Sequence, residues 1–145
     1  MDLYLIAQIG GRGVAIPAEQ VDSVVDLGEV VAVPRAPESV RGLSALRSRV
    51  LTVIDTGKAL GINPMPAACR RAVITRVEGH HYAILVDTLE DVARFEPLSL
   101  SSGLALDRGW SSAGLGLVER DGEPLLILDL AALVPGQPRP ATLAA

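Results

Sequence analysis

One tryptophan, two tyrosines and one phenylalanine in 145 residues leave no aromatic platform on which the bases of a single strand could stack. Basic runs are missing as well. With 13 basic and 17 acidic side chains the formal net charge is −4, so a nucleic-acid backbone is not the expected main partner. The single cysteine, Cys69, excludes an internal disulfide framework and fits a reducing compartment such as the cytoplasm. No apolar run approaches the roughly 20 residues that cross hydrocarbon, and no membrane insertion is expected. The opening Met1-Asp2 followed by a turn at Gly10-Gly11 differs from the basic start and apolar core of a secretory leader.

What is present is aliphatic. A hydrophobic fraction of 49% supplies the core of one domain, or of two small ones packed together. Residues 3–9 and 14–16 flank Gly10-Gly11-Arg12-Gly13 and read as a hairpin. Residues 17–20 read as a turn or single helical turn, and strands are expected over 21–27 and 30–33. Pro34 and Pro37 make 34–41 a loop or short helix. The β-branched Val50, Thr52, Val53 and Ile54 favour a strand, after which Asp55 caps a short helix ending at Gly61. Beyond a proline-bearing linker, 62–68, a second hairpin is expected from 71–77 and 82–86. Residues 99–109 read as an irregular connection and 136–145 as a flexible tail.

The pattern repeats. At an offset of 68, Gly11 matches Gly79, Ile6 matches Ile74, Ala15 matches Ala83 and Val24 matches Val92. At an offset of 74, Leu43 matches Leu117, Leu51 matches Leu125 and Asp55 matches Asp129. Two related β-units follow, each a hairpin, further strands and an Asp-capped terminal turn. Closing such units into small barrels would remove their aggregation-prone edges.

Catalytic signatures are lacking. His80 and His81 are neighbours, which points their side chains to opposite sides of a strand and makes a shared metal awkward. Cys69 has neither a CxxC partner nor a cysteine-enzyme motif. The 10–13 glycine run lacks the Lys-Ser or Lys-Thr of a phosphate loop and joins two strands. Asp55 and Asp129 each follow a strand and precede a helical pattern, as caps do. Neither a metal nor a cofactor is expected. The rival readings are an enzyme built on those aspartates or histidines, and a small β-barrel binding nucleic acid or oligosaccharide.

The stretch PRAPESVRGLSALRSRVLTVIDTGKALG, residues 34–61, resembles the central signature of CheW-like domains: a Pro-containing loop, an Arg-Gly segment, a second arginine, an aliphatic strand and Asp. GGRGVAIPAEQVDSVV, GHHYAILVDTLEDV and GLGLVERDGEPLLILDLAAL extend the resemblance over nearly the whole chain. It implies a mainly β fold of two SH3-like five-stranded β-barrel subdomains sharing a hydrophobic interface, with short helices. Residues 1–135 would form one domain, with subdomains at about 14–66 and at 1–13 plus 67–135.

The resemblance also implies a noncatalytic adaptor coupling cytoplasmic chemoreceptors to the regulatory domain of a CheA-type histidine kinase, under the inner membrane. A CheW-like scaffold for a non-motility kinase pathway is the alternative. Carried over residue by residue, the partner-binding positions are Gly42, Arg47, Arg49 and Val50, with Val21 and Val24 on a further part of the surface. A planar guanidinium such as that of Arg47 can bridge carboxylates as lysine cannot. Three positions depart from the family pattern. The usual Asn-Leu-Arg-Gly is here Ala45-Leu46-Arg47-Ser48, and Ser23 replaces an acidic residue.

Overall fold

The computed structural model describes residues 1–100 and 108–136. All of the expected tail except Gly136, and residues 101–107 of the expected connection, lie outside the described residues. The first half of the chain forms β1 (Asp2–Ile9), β2 (Arg12–Pro17), a 3-10 turn (Ala18–Gln20), β3 (Ser23–Asp26), β4 (Val40–Leu46), β5 (Arg49–Ile54) and helix α1 (Thr56–Leu60). The second forms β6 (Arg71–Val77), β7 (His80–Leu85), β8 (Thr88–Phe95), helix α2 (Arg108–Ala113), β9 (Gly114–Arg120), β10 (Glu123–Leu128) and a 3-10 turn (Leu130–Leu133).

These strands make two five-stranded sheets, in the orders β8-β1-β2-β10-β9 and β3-β6-β7-β5-β4. The duplication read from sequence is a register-level identity. Ile6 pairs with Ala15 as Ile74 pairs with Ala83, and Ile127 lies beside Ala15 as Val53 lies beside Ala83. Asp55 and Asp129 both cap, accepting from Lys58 N–H and Ala131 N–H respectively.

The repeats interlock. Hairpin β1–β2 joins β8, β9 and β10 of the second repeat, while hairpin β6–β7 joins β3, β4 and β5 of the first. This corrects the expected split at 14–66, because β2 stays with β1 and the β6–β7 pair crosses to the other sheet. Both sheets are open rather than closed barrels: no ladder among the described residues joins β8 to β9 or β3 to β4. Single bridging residues lie on the outer edges of β4 and β9 instead, Val31 on Leu43 and Leu98 on Leu117. Val31 is all that forms of the strand expected over 30–33, since Pro34 fixes φ and constrains the residue before it.

Alternation along the first sheet feeds two cores. Leu5, Ala7, Val14, Ile16 and Leu126 join a large cluster shared with the second sheet, and Tyr4, Ile6, Ala15, Leu125 and Ile127 form a smaller one. Helix α2, beginning inside the region read as irregular, is held by tertiary contact rather than by its own six residues. Its Trp110 is buried, with the Arg12 guanidinium carbon 5.1 Å from the ring centroid, and a Cβ on Gly109 would fall 1.6 Å from Leu60 O.

Candidate functional site

Strands β4 and β5 form a hairpin at one margin of the second sheet, and the alternation of β4 is inverted. Gly42 and Ser44 face inward while Leu43 and Ala45 face out. The inner side is occupied by backbone: Ser44 Oγ donates to Glu29 O at 2.9 Å, and a Cβ on Gly42 would sit 2.3 Å from Val31 O. Small or hydrogen-bonding residues are therefore required inside, and the aliphatic ones are turned to solvent.

Cross-strand pairing then assembles a strip. The ladder partners Val31, Leu43, Thr52, Tyr82 and Thr75 form one row across the sheet. Val50 stands opposite Ala45 in the adjoining row. Val31 is 59% exposed, Leu43 37% and Val50 64%. Contiguous exposed aliphatics of this kind mark surfaces that bind other proteins.

Arg47 lies in the turn joining β4 to β5, at φ 57°. It is exposed, and its guanidinium has no hydrogen bond or ion pair to a described residue. Its equivalent in the twin hairpin is Asp121, followed by Gly122. Arg49 differs from Arg47 in being engaged. It lies 3.6 Å from Asp22 and its Nη1 is 3.0 Å from His81 Nε2, an arrangement that ties β5 to β7 and to the residue before β3. Exposed pairs of this type contribute up to about 1 kcal/mol.

The six sequence-derived positions are not one spot. Arg47, Arg49 and Val50 share the hairpin tip, and Gly42 is a backbone-approach residue beneath the strip. Val21 is half-buried against the large core. Val24, 40% exposed on β3, lies in the row Val24, Val73, Ile84, Ile54. Val24 itself, three strands away in the row that ends at Ile54, lies roughly 14 Å across and 13 Å along the sheet from Val50 at standard strand spacings. Val31 and Leu43 escaped the sequence reading. The signal for Leu43 was available in the buried-small, exposed-large order of Gly42-Leu43-Ser44-Ala45.

The residues considered for chemistry are occupied structurally. Asp55 is buried, which opposes its ionisation, but Met65 N–H, Lys58 N–H and Arg41 outweigh that and hold its carboxyl below the usual range. Asp129 accepts from Gln20 Nε2 and Ala131 N–H. Burial pushes the Cys69 thiol up, and its Sγ contacts Val86 O at 3.2 Å. Gly10-Gly11 forms a hairpin turn with both φ positive. Among the described residues no three His, Cys, Asp or Glu side chains converge on a possible metal position, and no helix is long and apolar enough to cross a membrane.

A family model described as the CheW-like domain matches residues 3–137. The chemotaxis protein CheW of Thermotoga maritima is 24% identical over 127 residues, spanning 88% of this chain and 83% of that protein. The crystal structure of the scaffolding protein TtCheW from Thermoanaerobacter tengcongensis has the same fold, with a TM-score of 0.79 at 20% identity over 94% of this chain and 91% of that one.

Proposed function

The chain belongs to the CheW-like domain family, and from that membership we propose that it is a noncatalytic adaptor coupling chemoreceptors to a CheA-type histidine kinase. One protein surface grips the kinase regulatory domain and another the receptor tip, and the interlocked sheets hold the two at fixed spacing. The observation that carries this reading is the outward aliphatic strip of Val31, Leu43 and Val50 at the sheet margin, ending at the unpaired Arg47. An apolar centre beside a free guanidinium is the composition in which protein interfaces concentrate affinity. The two-surface arrangement requires no group transfer, and the aspartates, the cysteine and His81 are already held in structural contacts. Its place of action is the cytoplasmic side of receptor arrays.

Co-purification with the cognate kinase and receptor tests the reading. Wild-type protein is retained and Arg47→Glu is not; full receptor control of the kinase by Arg47→Glu would remove that residue's assigned role. The departures at Ser23, Ala45 and Ser48 favour a second reading, a CheW-like scaffold serving a kinase whose output is not motility. Reconstitution with each candidate kinase separates the two.

A further inference from the structure

The second sheet unit carries a hollow of about 370 Å³ lined by Arg41, Lys58, Arg70, Asp55 and Met65. The carboxylate there is spent internally, since Asp55 accepts from Arg41 Nη2 at 2.9 Å, Met65 N–H at 3.0 Å and Lys58 N–H at 3.1 Å. Arg41 also donates to Met65 O and Pro66 O. The other two cations are not spent. The Lys58 ammonium has no hydrogen bond or ion pair to a described residue. Arg70 is positioned by its own loop, with Nη1 donating to Ala67 O and Cys69 O, while its Nε and Nη2 have no partner among the described residues.

The duplication supplies an internal control. Equivalent positions in the first sheet unit are Leu115 for Arg41, Ala132 for Lys58 and Asp2 for Arg70. The same ladders form there without any of the three cations, so the fold does not require them. A buried ion pair is in any case no better for stability than well-packed apolar residues. A hollow of about 490 Å³ in the first sheet unit shares two of these positions, Leu115 and Asp2, but is lined by neither Asp129 nor Ala132 and so is a different depression. One twin thus gathers three cations around a neutralised carboxylate, in a protein of net charge −4, and the other has none of the three.

We propose that the hollow lined by Arg41, Lys58 and Arg70 is an oxyanion subsite, accepting a phosphate or carboxylate group between the Lys58 ammonium and the free donors of Arg70. Arg41 and Asp55 serve as its rigid floor. The hollow adjoins the Val31 end of the aliphatic strip, since Val30 and Ala32 are part of its lining, but anion binding there is tested independently of the adaptor reading.

The test is a titration of the full chain with inorganic phosphate and, separately, with acetate, at constant ionic strength held by chloride, followed through backbone amide resonances. Saturable shifts centred on Lys58, Met65 and Arg70 are expected. Lys58→Ala/Arg70→Ala should weaken the binding by at least about tenfold while thermal unfolding stays unchanged. Lys58→Ala alone, at an exposed helix position, keeps the test decisive should the Arg70 change loosen its loop. Tighter binding of phosphate would assign a free phosphate ester, and comparable binding of acetate a carboxylate on a docked protein. Linear, non-saturating shifts with both anions, or the same saturation in the double variant, would overturn the proposal.

Discussion

Leu126 lies beside Val14 in a parallel ladder that joins the last strand to the N-terminal hairpin. The partner ladder, Thr52 beside Tyr82, carries the second hairpin into the first repeat. Neither half of the chain therefore owns a complete sheet.

Cutting after Ala67, in the loop between α1 and β6, should give two pieces, residues 1–67 and 68–145, each with a hairpin detached from its sheet. Alone, neither should unfold cooperatively, and mixed they should reassemble. Fluorescence of Trp110, buried in the intact protein, reports this; a sharp thermal transition in either isolated piece would contradict the interlocking.

Asp55→Asn should cost about 3 kcal/mol, because it leaves Arg41 in a largely buried position without its counter-charge. Asp129→Asn, at a cap with a neutral partner in Gln20, should cost about 1 kcal/mol or less. Arg41→Leu/Asp55→Asn should recover part of the larger loss, since Leu115 fills the equivalent place in the twin unit. Denaturant titrations of the four proteins measure all three expectations.

The same aspartate sets an acid limb. Its folded-state pKa is lower than its unfolded value, so its stabilisation is complete above the unfolded carboxylate range near pH ~4. It is lost as pH falls through the lower, folded value. Stability measured against pH should show a decline on that limb that is shallower in Asp55→Asn.

Much of this architecture was legible because it is local. The two hairpins, the turn at residues 18–20 and both aspartate caps follow from turn chemistry and alternation, and the 68- and 74-residue offsets exposed the duplication. The exchange was hidden for the reason that made the repeat visible. Hairpins 3–16 and 71–86 carry the same alternation, so either satisfies the apolar pattern of either sheet. Helix α2 depends on Trp110 burial and on the close approach of Gly109 to Leu60, neither of which has a sequence period. At the candidate site, Arg47 and Val50 came from the family resemblance. Gly42 proved to be a packing requirement, and Val21 turned toward the core.

Arg47→Gly separates conformation from contact. With φ at 57°, glycine should stabilise the hairpin by up to about 1 kcal/mol while removing the guanidinium. Unfolding should shift to higher temperature as partner capture falls; unchanged capture would show that the turn's shape, and not the arginine, is recognised.

Gly42→Ala should act through stability. Its Cβ would meet Val31 O at 2.3 Å, so the Val31–Leu43 bridge must open at a cost of about 2–3 kcal/mol. Amide exchange at Val31 and Leu43 should accelerate well beyond that of the β1–β2 hairpin.

The most direct test of adaptor action by an outward apolar strip is kinase activity reconstituted from receptor, kinase and this protein, with Val50→Glu compared against wild type at matched stability. Receptor control of the kinase should require the wild-type protein and be lost with Val50→Glu, although the variant unfolds at the same temperature. Equal control by both proteins, or control with the protein omitted, would contradict the account.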